Sequence, residues 1–306
     1  MKMKKILMTG ISMAAIACAM MTTVVFSSCS SKEDDLNTED QQPVELKISA
    51  GIATRAVNAA WTAGDQIGVF AVNGTTVENS NIAYTTANGD GDFTVNTKSE
   101  TIMLPYDGSD RTIAAYYPYT SEASGGSYSI NVTNQEQQEA IDLLVAAPVS
   151  GINKMSPVAS LDFYHKLVKI ALTMKPGEGI TAEQLAKVTV TISNQQTTGT
   201  CDVVNNGDVT ITSTTASDIK LLTSDDGTSS EAILLPSATT EGMKLTFDIP
   251  GAGVYNWEVN SAAKSKSFGA GNKYKYDITI NKTSIIVNAS IEDWTDGNGG
   301  ENGNAI

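Results

Sequence analysis

The sequence has few of the residues on which most enzyme and metal sites depend. Its 306 residues include one histidine and three cysteines. A lone histidine has no second one to share a zinc ion or a proton relay, and the spacings of zinc ligands and of phosphate-binding loops are missing. A Gly-x-Ser-x-Gly serine elbow is also missing. We therefore predict no catalytic residues, no metal site and no cofactor, and an enzyme is the least favoured class.

Positive charge is also scarce. The formal net charge is −14, and it becomes −17 if the three lysines near the N-terminus are removed with a signal peptide. Such a surface repels phosphate backbones, so nucleic acid is excluded as the main partner.

The N-terminus is typical of an exported protein. Lys2, Lys4 and Lys5 precede a stretch without charge that ends at Phe26, which predicts a signal peptide over residues 1–28. A retained helical anchor is the alternative, because the apolar stretch is long enough to cross a bilayer.

A lipid anchor is predicted at Cys29. The sequence Phe26-Ser27-Ser28-Cys29 resembles a bacterial lipobox, in which the cysteine is acylated, and several acyl chains suffice for stable membrane binding. Cys18 is a rival site. The linker over residues 29–43 contains Lys32-Glu33-Asp34-Asp35, which resembles the signal for display on the outer face of the outer membrane. With Cys29 acylated, Cys201 has no disulfide partner and is expected to be a half-buried apolar side chain.

The remaining chain predicts an all-β protein. Short alternating runs of Thr, Val, Ile and Tyr are separated by Gly, Asn and Asp, as in β-sandwiches. We predict strands over residues 44–52, 66–72, 112–119, 128–132, 161–174, 187–193, 231–235, 243–249, 254–259, 273–280 and 284–294. Two short helices are predicted at 135–145 and 181–187. A Pro- and Gly-containing loop predicts two domains, 44–158 and 159–295, followed by a polar tail, 296–306.

The first and last strands each carry one apolar face. In the first strand this face consists of Val44, Leu46, Ile48, Ala50 and Ile52. In the last strand it consists of Ile285, Val287, Ala289 and Ile291. Period-two alternation predicts strands with one buried and one solvated face.

Few single residues or short runs suggest a ligand-binding site. His165 alternates with apolar residues and is expected in the core. The run 88–92 (Asn-Gly-Asp-Gly-Asp) has oxygen ligands for Ca²⁺ but is expected to be a turn. Trp257 is expected in the core, whereas Trp61 and Trp294 lie at strand ends and leave open a role in stacking on sugars.

Seven motifs, taken in order, point to a known family. They are Ala53-Thr54-Arg55-Ala56, Trp61-Thr62-Ala63-Gly64-Asp65-Gln66-Ile67-Gly68-Val69-Phe70, Ala115-Tyr116-Tyr117-Pro118-Tyr119, Asp142-Leu143-Leu144-Val145-Ala146, Leu161-Asp162-Phe163-Tyr164-His165-Lys166-Leu167, Ile233-Leu234-Leu235-Pro236 and Ile291-Glu292-Asp293-Trp294. In this order they resemble the fimbrillin-like proteins of Bacteroidales, the subunits of type V pili. The resemblance implies two tandem transthyretin-like β-sandwich domains, export as a lipoprotein, and surface assembly with other pilin subunits.

The resemblance also implies processing at Arg55-Ala56 by an arginine-specific surface protease, which releases the first strand so that a segment of another subunit takes its place. Arg55 is the only arginine before Arg111. The alternative is that Arg55 is a solvated turn residue. The last strand is a candidate donor; if it packs within its own domain, we expect a tip adhesin or terminal subunit, with a host protein or glycan as a further partner. The competing function is a glycan-binding lipoprotein that stays anchored through Cys29 and uses Trp61, Trp294 or loop tyrosines.

Overall fold

The computed structural model describes residues 41–53, 60–205 and 207–294. The signal peptide, Cys29, Arg55, Ala56 and the tail over 296–306 lie outside the described residues, and the predictions for them stay predictions. Within the described ranges no helix is long and apolar enough to cross a membrane.

Strands dominate the chain, as predicted. In the first half they are β1 (Val44–Glu45), β2 (Lys47–Ile52), β3 (Gln66–Asn73), β4 (Thr76–Thr86), β5 (Asp92–Val95), β6 (Met103–Leu104), β7 (Arg111–Tyr117), β8 (Ser127–Asn131), β9 (Leu144–Ala146), β10 (Val149–Ile152) and β11 (Val158–His165). In the second half they are β12 (Val168–Pro176), β13 (Thr189–Gln195), β14 (Thr198–Asp202), β15 (Val209–Ile211), β16 (Ser217–Lys220), β17 (Leu222–Thr223), β18 (Ser229–Leu234), β19 (Lys244–Ile249), β20 (Gly253–Glu258), β21 (Asn272–Asn281) and β22 (Ser284–Asp293).

Helices are short. The α-helices are α1 (Gln138–Ile141) and α2 (Ala182–Leu185), and 3-10 turns span Lys98–Glu100, Ser121–Ala123, Val259–Ser261 and Ala263–Ser265. The Thr181 hydroxyl accepts from the Gln184 amide, and the Gln184 side chain accepts from the Thr181 amide. This capping box confirms the predicted start of α2.

The first half contains a sheet that closes on itself. Its strands follow the order β7-β3-β4-β5-β2-β11-β9, and β9 pairs again with β7. Strand β10 pairs with residues 111 and 113 of β7, along the same edge that β9 occupies at residues 116 and 117. Closure removes the free edges that an open sheet exposes, so each strand of the ring is paired on both sides.

The second half contains two sheets with a shared core. One has the order β17-β18-β12-β21-β22 and the other β16-β13-β19-β20. A third small sheet, β15-β14-β8, takes β8 from the first half. The inward residues Ile170, Tyr276, Ile192 and Phe247 of these sheets belong to one apolar cluster. The all-β class is confirmed. The described residues form two apolar clusters: the first-half core consists of first-half residues, whereas the second-half core also includes first-half residues such as Phe70, Tyr116 and Val145.

Two local predictions were wrong. The strand predicted over 161–174 is two strands, β11 and β12, separated by Lys166 and Leu167. The helix predicted over 135–145 is confined to α1, because Leu144 to Ala146 form β9 between β7 and β11. Strand β11 pairs with β2 in the first-half sheet. Leu167, which follows it, belongs to the second-half core. The domain boundary near residue 158 stays a prediction.

The side chain of Gln135 replaces a strand partner at β18. Its Oε1 accepts from the Ile233 amide at 2.8 Å and its Nε2 donates to the Ile233 carbonyl at 2.9 Å. Strand β17 pairs only with residues 230 and 231, so it does not reach this position.

We expect Gln135→Leu to destabilise the fold by about 1–3 kcal/mol for each backbone group of Ile233 left unpaired. The midpoint of urea unfolding measures this loss. Gln137→Leu is the matched control. It makes the same chemical change at Gln137, which is exposed. Equal midpoints for the two variants contradict the role assigned to Gln135.

Candidate functional site

The first strand forms part of the closed sheet. Strand β1 pairs with β6, and β2 lies between β5 and β11. Leu46, Ile48 and Ala50 are at most 7% exposed, and Val44 and Ile52 are half-buried. The predicted apolar face therefore points into the first-half core.

The pairing of β2 is unequal on its two sides. It runs parallel to β11 over six residue pairs, from Lys47 opposite Val158 to Ile52 opposite Phe163. On the other side it pairs antiparallel with β5 at only two positions. Further backbone bonds join the Leu46 amide to the Ile102 carbonyl and the Ala53 amide to the Phe163 carbonyl, at 3.0 and 2.8 Å. Removal of β2 thus opens the ring and exposes one long edge, on β11.

Both backbone groups of Ala50 are engaged. Its amide donates to the Gly91 carbonyl at 2.8 Å, and its carbonyl accepts from Trp61 Nε1 at 2.8 Å. A Cβ at Gly91 would lie 2.5 Å from the Ala50 oxygen, and the φ of Gly91 is +89°. Glycine is required at residue 91 on both grounds.

Trp61 is a core residue beside the first strand. It is 7% exposed, and its ring makes edge-to-face contacts with Phe93, Tyr117 and Phe163 at centroid distances of 5.1, 5.4 and 5.2 Å. Its indole N–H finds a partner in the Ala50 carbonyl, as buried tryptophans usually require. Trp61 is therefore not available to stack on a sugar.

Arg55 lies in the sequence between the end of β2 and Trp61. The sequence has only one other arginine, Arg111. The Arg111 side chain is 9% exposed; its Nε donates to Glu78 Oε2 at 2.6 Å, and its Nη1 donates to the Ser109 hydroxyl and the Asp110 carbonyl. The hydrogen bond from the Asn73 side chain, followed by the hydrogen bond and the charge of Arg111, lowers the pKa of the Glu78 carboxyl. Arg111 is therefore shielded from a protease while the chain is folded.

The last strand, β22, lies at the edge of its own sheet. It pairs with β21 over ten residue pairs, and its other side has no strand partner in the described sheet. Ile285, Val287 and Ala289 are half-buried against the second-half core, and Ile291 is 41% exposed. The candidate donor strand is thus paired within its own domain but is less buried than the first strand.

Trp294 anchors the end of β22. It is 3% exposed and stacks on the His165 ring at a centroid distance of 4.2 Å and an angle of 5°. Its amide donates to the Gly271 carbonyl at 2.9 Å. The Nδ1 atom of His165 lies 2.9 Å from Asp142 Oδ1, so the predicted core position of His165 is confirmed.

The other sequence candidates are structural. The carboxylate of Asp90 accepts hydrogen bonds from the Thr86 hydroxyl, the Asn88 side chain and the Asp92 amide. These local hydrogen bonds stabilise a turn, as expected for residues 88–92. No group of three or more metal-binding side chains occurs in the part of the chain that the structure describes. Cys201 is 1% exposed, so it is fully rather than half buried, and burial raises its thiol pKa to about 12.

Trp257, expected in the core, is half-buried beside Tyr276 at 5.3 Å. The aromatic residues proposed for sugar binding, Trp61 and Trp294, are both buried. The glycan-binding alternative therefore loses both tryptophans, and the loop tyrosines are the stacking residues left to it.

Comparison with known proteins agrees with this architecture. A curated relative from Bacteroides uniformis, named "Putative fimbrium subunit Fim1C", is 44% identical over 95% of this chain and 98% of its own length. A crystal structure of a "putative cell adhesion protein" from Bacteroides uniformis is 45% identical, with a TM-score of 0.76 over 83% of this chain and 99% of that one. A second, from Bacteroides ovatus, is 26% identical with a TM-score of 0.69 over 84% and 100%. The model of the family described as "Fimbrillin-like" matches residues 54–294. The chain belongs to the fimbrillin-like family.

Proposed function

We propose that the chain is a structural or adhesive subunit of a fimbrium, exported as an outer-membrane lipoprotein through Cys29 and activated for assembly by cleavage after Arg55. Cleavage there detaches the first strand from the rest of the chain, and a strand of another subunit takes its place. The observation that carries this proposal is the position of β2 in the closed sheet, between β5 and β11. No curated relative or structure named above is described as an enzyme.

The energetics of β2 favour replacement over simple loss. Full burial of a side chain such as Leu46 or Ile48 contributes about 1.5–3 kcal/mol. A chain without this strand exposes that apolar surface together with the unpaired backbone of β11, both of which promote association. An incoming strand restores the hydrogen bonds and fills the apolar sites, which is β-augmentation.

The position of the two arginines makes cleavage specific. Only Arg55 and Arg111 occur in the sequence, and Arg111 is buried in an ion pair. Treatment of the folded chain beginning at Ser30 with an arginine-specific protease is expected to cut after Arg55 alone and to produce a series of oligomers. Mass spectrometry identifies the cut, and size-exclusion chromatography with light scattering measures the oligomers.

Arg55→Lys is the matched control, because it keeps the charge and removes the protease site. This variant is expected to stay uncut and monomeric. A cut chain that keeps residues 30–55 bound and remains monomeric contradicts the proposal, and so does primary cleavage at Arg111.

A further inference from the structure

Four large apolar side chains are exposed where the chain enters the first-half sheet. They are Met103 (48% exposed), Tyr106 (55%), Met155 (83%) and Val158 (46%). Of the eleven large apolar side chains that are exposed in the described residues, these four fall within two short segments, 103–106 and 155–158. Single exposed apolar residues are normal, whereas a group of them marks an interaction surface. We call these four residues the entry patch.

Strand register brings the two segments to one face of the sheet. Met103 is the antiparallel partner of Glu45 in the pair β1–β6. Val158 is the parallel partner of Lys47 in the pair β2–β11. Glu45 and Lys47 are exposed on either side of the buried Leu46, so both point away from the core. Met103 and Val158 therefore flank the start of the first strand on its exposed face.

The loops that carry Tyr106 and Met155 are joined to each other. Asn153 Nδ2 donates to Asp110 Oδ1 at 2.7 Å, which connects the turn over residues 153–156 to the loop over 105–110. Asn153 Oδ1 accepts from the Met155 amide at 2.9 Å and fixes the turn. The two loops thus present their apolar side chains on the same side of the sheet.

The chain reaches this patch from the predicted lipid anchor. Val44 lies opposite Leu104 in the antiparallel pair β1–β6, so the residues before Val44 approach the sheet on the side of Tyr106. Residue 41, the first that the structure describes, follows Cys29 by twelve positions. Twelve residues span at most about 40 Å. A tether this short gives an effective concentration in the millimolar range, so even a weak contact between the patch and the bilayer forms.

The segment predicted to be cleaved follows the opposite end of the same strand. From Lys47 to Ile52, β2 extends about 17 Å away from the entry patch. Ile52 precedes Arg55 by three residues. A bilayer against the patch therefore leaves the Ile52 end of the strand on the side away from the lipid, where a soluble protease has access.

The composition of the patch suits a lipid surface. Tyrosine is enriched at the level of lipid head groups, where its ring is in apolar surroundings and its hydroxyl is in water. Methionine adapts its shape to an irregular apolar surface. Lys47 and Lys154 lie on the same side and can hold their ammonium groups among the head groups. Glu45 and Asp107 offset these two charges, so the attraction is mainly apolar.

We infer that, before cleavage, the entry patch lies on the lipid surface of the membrane that holds the anchor. This contact orients the first strand with its Ile52 end away from the bilayer. The inference rests on the proposed function, because it requires acylation at Cys29. Cleavage after Arg55 separates the patch from the anchor, so the contact belongs to the precursor alone.

Quenching of a fluorophore by lipids tests this contact. The acylated precursor with Arg55→Lys, which stays uncut, is reconstituted in phosphatidylcholine–phosphatidylethanolamine vesicles that carry a nitroxide on the head groups. Met155→Cys is labelled with the fluorophore. Val254→Cys is the matched control, because Val254 is 59% exposed and lies in the second half, on β20. Cys201 is 1% exposed and its thiol pKa is raised to about 12 by burial, so it does not react with the label.

The label at residue 155 is expected to be quenched at least about threefold more than the label at residue 254, because only the entry patch contacts lipid. A second arm places the label at Met103→Cys and adds Tyr106→Asp and Met155→Asp. These two charges are expected to reduce quenching at least about threefold, since a charged side chain stays in water. Val254→Asp with the same label is the control, and quenching is expected to be unchanged.

Equal quenching at residues 155 and 254 overturns the inference, and so does a Met103→Cys label whose quenching is unaffected by the two aspartates. The inference is also overturned if the aspartates leave quenching unchanged but abolish assembly of the chain cut after Arg55, because the patch is then a contact between subunits. These results leave the proposed function standing. A purified precursor whose mass shows no acyl chains on Cys29 overturns both the proposed lipid anchor and this inference.

Discussion

Trp61→Ala is expected to lower the free energy of unfolding by about 3–5 kcal/mol, the usual loss for a buried Trp→Ala change. The substitution removes three edge-to-face contacts in the first-half core and the hydrogen bond to the Ala50 carbonyl. Urea unfolding followed by circular dichroism measures the loss. In the chain cut after Arg55, the same variant is expected to release the first strand faster, which mass spectrometry of the bound segment detects.

Trp257→Ala is the matched control for this prediction. Trp257 is half-buried and has one ring contact, with Tyr276 at 5.3 Å. This substitution is expected to lower the free energy of unfolding by less than half as much. It is also expected to leave the rate of release of the first strand unchanged. Equal losses for the two variants contradict the position assigned to Trp61 beside the first strand.

The alternation of apolar residues predicted the first strand correctly but not its partners. Leu46, Ile48 and Ala50 are buried as their spacing indicates. The parallel pairing of β2 with β11 joins segments more than a hundred residues apart in the sequence, and local periodicity contains no information about such a pairing. The closed sheet could therefore not be predicted from the sequence, although the chemistry of the strand could.

Strand β4 was missed because its pattern is interrupted. Asn81 has a φ of +55°, and the register between β3 and β4 shifts near Ala71. A bulge of this kind moves side chains to the other face, so the strand shows no regular alternation. The side chain of Asn81 has its own function there: its Nδ2 donates to the Thr120 carbonyl at 2.8 Å and its Oδ1 accepts from the Tyr116 hydroxyl at 2.8 Å.

The burial of Trp61 and Trp294 could not be predicted from the sequence either. Both residues lie at strand ends, where exposed and buried tryptophans have the same local sequence pattern. Their environment is set by distant residues: Ala50 and Phe163 for Trp61, and His165 for Trp294. The sequence therefore indicated the first and last strands more reliably than the residues that hold them in place.

Trp294→Ala is expected to free the last strand without unfolding the rest of the chain. Trp294 is 3% exposed and stacks on His165, whereas the strand it ends is only partly buried. A loss of about 3–5 kcal/mol confined to this strand raises local opening about a hundredfold or more. Amide hydrogen exchange measured by mass spectrometry over residues 284–293 reports this opening.

The control for Trp294 is Ile291→Ala on the same strand, because Ile291 is 41% exposed and its truncation is expected to change exchange less than tenfold. Faster exchange throughout the chain indicates a general loss of stability and contradicts a local anchor.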